Sequence, residues 1–132
     1  MRSETRGPLI GIIDDDESTR DSISSLMRSA GYGTAIFASS DAFLTSEHMR
    51  DRKDMILLLD IQIPGLNGLE LQRRLSDSNC SIPVIFVTAY GDDGIRSRAM
   101  NQGAFAFFAK PFSDQAILDA IRSARESKSC QH

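Results

Sequence analysis

Short apolar runs alternate with amphipathic stretches along the whole chain, and that alternation constrains the fold more than any other feature. Leu9-Ile10-Gly11-Ile12-Ile13, Met55-Ile56-Leu57-Leu58-Leu59 and Pro83-Val84-Ile85-Phe86-Val87 show no polar residue at alternate positions. A strand with one wet face would show them, so these segments predict strands buried on both faces. Residues 105–109 form a fourth such strand and residues 34–37 a weaker one. Between them, Ile23, Leu26, Met27 and Ala30 recur at helical spacing, with Gly31 placed to stop the helix. Ser39, Ser40 or Asp41 caps a second helix carrying Ala42, Phe43 and Leu44. Leu69, Leu71 and Leu75 mark a third, and Asp92 or Asp93 opens a fourth that runs to about Gln102. Ser113 caps the last, whose Ala116, Ile117, Ala120, Ile121 and Ala124 make one apolar stripe. Five β-α repeats with doubly buried strands imply an α/β fold, a parallel sheet with helices on both faces.

At 132 residues the chain has room for one core and not two. Its formal net charge of -3 offers no general attraction to nucleic acid or anionic membrane, so neither is expected as a direct partner. No apolar run approaches the ~18 residues that span a bilayer. The start, Met1-Arg2-Ser3-Glu4-Thr5-Arg6-Gly7-Pro8, lacks the apolar core of a signal peptide. Cys80 and Cys130 fit no metal-ligand spacing and read as free thiols in a reducing cytoplasm. Residues 8–126 are expected to form the domain, with residues 1–7 and 127–132 as flexible tails.

In parallel sheets of this kind ligands sit beyond the carboxyl ends of the strands. Asp14, Asp15, Asp16 and Glu17 follow the first strand, Asp60 the third, Thr88 the fourth and Lys110 the fifth. Each has an ordinary explanation. Asp16 or Ser18 could simply cap the next helix, a lysine before a proline is usually surface charge, and threonine favours strands. Asp60 is less easily set aside, because a carboxylate closing Ile56-Leu57-Leu58-Leu59 needs a compensating partner. Gathering Asp14, Asp15 and Asp60 makes sense around a hard cation, and oxygen ligands suit Mg2+. Lys110 adds a point charge for phosphate oxygens and Thr88 a hydroxyl donor. Carboxylate, metal, lysine and hydroxyl are together the parts expected for phosphoryl transfer to an aspartate.

With these pieces in order, the sequence resembles the receiver domains of two-component response regulators over roughly residues 9–125. The resemblance rests on Ile12-Ile13-Asp14-Asp15-Asp16-Glu17, on Leu57-Leu58-Leu59-Asp60-Ile61-Gln62-Ile63-Pro64-Gly65-Leu66-Asn67-Gly68, on Val84-Ile85-Phe86-Val87-Thr88-Ala89, and on Phe108-Ala109-Lys110-Pro111-Phe112. It implies a flavodoxin-like, doubly wound (βα)5 sandwich with five parallel strands in the order 2-1-3-4-5. It implies Asp60 as phosphoacceptor, Lys110 and Thr88 as phosphoryl and switch contacts, and Phe107 as the switch aromatic. Asp14, Asp15, Asp60 and the main-chain carbonyl of Gln62 are the implied metal ligands, for Mg2+ with Mn2+ or Ca2+ as substitutes. The Lys110-Pro111 peptide is implied to be cis. The implied donor is a histidine kinase or histidine phosphotransfer protein, and the implied target a downstream protein, a fused output domain or a phosphorylation-dependent homodimer. Such a domain is a signalling phosphoacceptor and not a turnover enzyme, and it works in the cytoplasm. Val87-Thr88-Ala89-Tyr90-Gly91-Asp92 and Lys110-Pro111-Phe112-Ser113 resemble most the nitrogen-fixation type of transcriptional receiver.

The resemblance places an output face on the fourth helix, fifth strand and fifth helix, with Arg96, Arg98, Met100 and Gln102 on or near it. Gln62 and Tyr90 are placed to influence acyl-phosphate lifetime. Three other readings fit less well, one of them a degenerate receiver that only binds partners, against which the complete set of site residues argues. A haloacid-dehalogenase-type phosphatase needs a second aspartate two residues after its nucleophile, where Gln62 stands. A nucleotide-binding α/β domain needs a glycine-rich turn where Asp14-Asp15-Asp16 stands.

Overall fold

The computed structural model describes residues 9–46, 55–63, 67–77, 82–89 and 92–129. Tyr90, Cys80, Cys130 and residues 1–7 lie outside these. Five strands form one sheet: β1 (Leu9–Ile13), β2 (Gly33–Phe37), β3 (Met55–Leu59), β4 (Val84–Thr88) and β5 (Ala106–Ala109). Their order is β2-β1-β3-β4-β5, and every neighbouring pair is parallel. The helices are α1 (Glu17–Ser29), α2 (Ser40–Leu44), α3 (Gly68–Asp77), α4 (Asp93–Asn101) and α5 (Asp114–Ser129). The parallel sheet with helices on both faces is as the sequence pattern predicts, and the strand order is the one the resemblance implies. α5 is helical through Ser129, where the sequence suggested a loose tail from residue 127.

The unbroken apolar runs serve two cores at once, because successive strand side chains point to opposite faces. On one face Met55, Leu57, Leu59, Val84, Phe86 and Phe107 pack with Phe43, Leu71, Leu75 and Ala99 of α2, α3 and α4. On the other Ile10, Ile12, Ile56, Leu58, Ile85 and Val87 pack with Ile23, Met27, Ile117, Ile121 and Ala124 of α1 and α5. Each fully buried side chain of this size adds about 1.5–3 kcal/mol. The central strands β3 and β4 are buried at every position, as their sequences require. β2 is an edge strand and only half-buried, which is why its signal is weak in sequence.

Helix ends follow from local chemistry. Asp16 caps α1, its carboxylate accepting from Thr19 N at 3.0 Å and Thr19 Oγ1 at 2.6 Å. Ser39, Asp92 and Ser113 cap α2, α4 and α5 by accepting from Ala42, Ile95 and Ala116. Asn67 and Glu70 bond reciprocally at the start of α3, a capping box with Asn in place of Ser or Thr. α1 and α4 end in Gly31 and Gly103 at φ 92° and 105°, with Tyr32 N reaching Met27 O and Ala104 N reaching Ala99 O. Those left-handed positions are why glycine is needed there.

Candidate functional site

The strand ladders run on past the strand ends and carry the polar residues with them. Asp14 N donates to Phe37 O at 3.2 Å, Asp60 N to Ile13 O at 3.0 Å, and Lys110 N to Thr88 O at 2.8 Å. Asp14, Asp60 and Lys110 are thus fixed by backbone at one edge of the sheet, with Thr88 ending β4 beside them. α3 closes on this edge because residue 68 is glycine. Gly68 N donates to Ile61 O at 2.9 Å, and a Cβ at 68 would run into Asp60 O and lie 2.9 Å from Ile61 Cα.

Lys110 Nζ bridges two carboxylates, 2.9 Å from Asp14 Oδ2 and 3.2 Å from Asp60 Oδ2. The other oxygens are also engaged: Asp16 N donates to Asp14 Oδ1 at 2.9 Å and Gln62 N to Asp60 Oδ1 at 3.2 Å. Asp14, Asp60 and Thr88 are buried, whereas Asp15 is exposed. Burial pushes the Asp14 carboxyl above the usual carboxylate range, against the opposing pull of the Asp16 amide and Lys110. Burial alone would pull Lys110 down. Its hydrogen bond to Asp14 and the charges of Asp60 and Asp14 outweigh that and hold it above the ordinary lysine value.

Asp14, Asp15 and Asp60 each offer a carboxylate oxygen, and the three oxygens lie within 4.8 Å of one another. Lys110 pairs with two of these acids and the Arg20 guanidinium lies on the Asp14 carbonyl, so one of the three negative charges is left over at this edge. The donors are all hard oxygens, which fit a small divalent cation. Asp16 is not in this group; its oxygen is taken by the α1 cap. The sequence left Asp16 or Ser18 open as the cap, and the structure assigns it to Asp16.

The residues placed by resemblance divide into two kinds. Asp14, Asp15, Asp60 and Lys110 come together, with Thr88 adjoining. Gln62 brings its amide to Asp60, while its side chain is exposed. The Lys110-Pro111 peptide is cis. Phe107 is buried, its ring 6.0 Å from that of Phe86 and beneath the Arg96 guanidinium at 5.9 Å. Arg96, Arg98 and Met100 are exposed on α4. Gln102, expected on or near the output face, instead turns toward α3. Its Nε2 donates to Gln72 Oε1 at 3.0 Å and Leu69 O at 3.4 Å.

Two residues went unread in the sequence. Gln72 is buried and donates to Ala99 O at 3.3 Å. Its signal is a polar residue midway between Leu69 and Leu75 on an apolar face. Arg20 donates from NH1 to Asp14 O at 2.8 Å. Only its position one turn into α1, behind the acidic run, could have flagged it.

A doubly wound parallel sheet that gathers Asp14, Asp60 and Lys110 at the carboxyl ends of its strands is a distinctive arrangement, and comparison with known proteins places it in a family. Residues 10–122 match the family model of the response regulator receiver domain. The chain belongs to that family, the receiver domains of two-component response regulators. It is 42% identical over 118 residues to nodulation protein W of Bradyrhizobium diazoefficiens, covering 89% of this chain and 51% of that protein. It is 35% identical over 117 residues to the transcriptional regulatory protein FixJ of Rhizobium meliloti, covering 89% and 56%. Among solved structures, response regulator StyR superposes with a TM-score of 0.84 at 40% identity, over 94% of this chain and 62% of that one. The chain therefore spans about half the length of the curated relatives it matches. Among the described residues no helix is long and apolar enough to cross a membrane.

Proposed function

We propose that this receiver takes a phosphoryl group onto Asp60 from the phosphohistidine of a histidine kinase or histidine phosphotransfer protein. The observation that carries the reading is the Lys110 ammonium held between Asp14 and Asp60 at the edge of the sheet. In the transfer, an Asp60 carboxylate oxygen attacks phosphorus and the P–N bond to the donor histidine breaks. The electron pair returns to the imidazole, which takes a proton, and Asp60 becomes an acyl phosphate. Lys110 neutralises charge on the phosphoryl oxygens and keeps Asp60 oriented. Gln62 N–H, already on Asp60 Oδ1, lies beside the same group.

Asp14, Asp15, Asp60 and the Gln62 main-chain carbonyl would hold Mg2+, or Mn2+ or Ca2+ in its place. The ion, when bound, supplies the positive charge that screens nucleophile from phosphoryl group. The acyl phosphate is later hydrolysed to carboxylate and inorganic phosphate. The chain is in this reading a signalling phosphoacceptor rather than a turnover enzyme, and it acts in the cytoplasm. Modification adds charge and acceptor oxygens next to buried Thr88, whose hydroxyl turns toward them. The change passes through β4 and β5 to Phe107 and Arg96, and so to an output surface on α4, β5 and α5. A downstream protein, a fused output domain or a second copy of the chain reads that surface.

The test is direct. The protein is incubated with Mg2+ and a small acyl phosphate, and its intact mass is measured. A phosphoryl adduct is expected on the wild type and not on Asp60→Asn. Absence of the adduct, or equal labelling of the variant, would sink the assignment.

A further inference from the structure

The metal ligands on the β1–α1 turn differ sharply in how they are held. Asp14 is fixed at its amide by Phe37 O, and at both carboxylate oxygens by Asp16 N and Lys110 Nζ. Asp15 is exposed, and among the described residues no side-chain partner orients it. The planar peptide that joins it to Asp14 fixes where its N and Cα sit, and so the point from which its side chain reaches out. The carbonyl oxygen of that peptide accepts from Arg20 NH1 at 2.8 Å, in a part-buried bond across six residues.

Arg20 is oddly placed on other grounds. A cation one turn into α1 lies toward the positive end of the helix dipole, where acids are favoured. It also lies close to a cluster suited to a cation, which its charge repels. Side chains that break local rules in this way tend to mark a functional constraint.

We infer that Arg20 is a positioning residue: by clamping the Asp14 carbonyl it sets the peptide that aims Asp15 at the metal site. The inference rests on the proposed Mg2+-dependent function and assigns a new residue to it. It also carries a sign that separates it from a charge effect. If Arg20 acted only through its charge, removing it would tighten Mg2+ binding. If it acts by position, removing it weakens binding despite the lost repulsion.

The experiment measures Mg2+ affinity of the unphosphorylated protein by amide chemical-shift titration, for wild type, Arg20→Gln and Arg20→Lys, with thermal unfolding in EDTA as the folded baseline. Loss of an outer-shell partner of a metal ligand typically costs tenfold or more in affinity. Arg20→Gln is expected to weaken Mg2+ binding by on the order of tenfold while its EDTA melting point stays near wild type. Arg20→Lys, which keeps the charge and a donor, is expected to recover part of the loss. Equal or tighter binding by Arg20→Gln overturns the inference and leaves the proposed function intact. Weaker binding accompanied by shifted amides throughout α1 in EDTA makes Arg20 a fold-stabilising residue only, and also overturns it. Should Arg20→Gln not fold, Arg20→Lys carries the comparison: affinity below wild type supports the clamp, and wild-type affinity or better overturns it. If wild type itself binds no Mg2+, the proposed function fails and this inference falls with it.

Discussion

Burial holds the Asp14 carboxyl above its ordinary value of 3.8, even with Lys110 2.9 Å away. An acid whose pKa is raised on folding opposes folding once it must ionise. Below pH 3.8 both states are protonated and Asp14 exacts no penalty. As pH rises from there through the raised native value, the unfolded chain ionises first and stability is lost, after which the penalty is constant. Asp14→Asn removes that penalty. In EDTA at neutral pH the variant is expected to melt higher than wild type, on the order of a few degrees, with the gap closing below pH 4. Scanning calorimetry across that range checks it; a variant that melts lower at pH 7 would show that the Lys110 pair outweighs desolvation. The same variant should bind Mg2+ more weakly, a trade of function for stability expected of a site residue. Lys110 runs the other way in alkali. Its raised pKa gives stability that is full below the ordinary value of 10.5 and is lost as pH climbs through the higher native value.

The elements that carry the site are positioned by two details of α3, one at its start and one in its middle. At its start Gly68 lets the helix touch the Asp60–Ile61 backbone. Gly68→Ala pushes a Cβ into main chain that cannot swing aside. A loss of about 1–3 kcal/mol is expected in chemical denaturation, with a slower phosphoryl transfer to Asp60. Further along, Gln72 ties α3 to α4 through Ala99 O and Gln102. α4 buries little else, Ala99 fully and Ile95 in part. Gln72→Leu removes one hydrogen bond from Ala99 O and one from Gln102 Nε2, which keep Ala104 N and Leu69 O as partners, so a loss of about 0.5–1.5 kcal/mol per bond and faster hydrogen exchange confined to α4 are expected. These details show what sequence could and could not reveal. The buried strands were legible because doubly buried residues admit only apolar side chains, and Asp60, Asp14 and Lys110 because a charge directly after such a strand stands out. Which residue capped α1 depended on where Asp14 and Asp15 point, and that is a tertiary fact. Gln102 was misjudged for the same reason: helical spacing gives its angle on α4 but not the presence of Gln72 opposite.

Taken as one body, the molecule hangs its site on the ends of β1, β3 and β5, three strands far apart in sequence, with β4 between two of them. Both helical layers pack on those same strands. A ligand that binds only when these ends are assembled must therefore stabilise the whole sheet and not one loop. Three acids against Lys110 and Arg20 leave net negative charge at that edge, which favours a cation as ligand. Binding to the native state alone adds RT ln(1 + [L]/Kd), or about 2.7 kcal/mol at a hundredfold excess over Kd. Mg2+ is thus expected to raise the melting temperature steadily with concentration, relative to EDTA at matched ionic strength. Hydrogen exchange is expected to slow together in β1, β3, β4 and β5, the paired strands at whose ends the site lies. Asp14→Asn should start from a higher melting temperature and respond less, so the two curves converge as Mg2+ increases. Parallel curves for wild type and variant would mean that the ion stabilises some other part of the molecule, and the acidic edge would lose its role as the metal site.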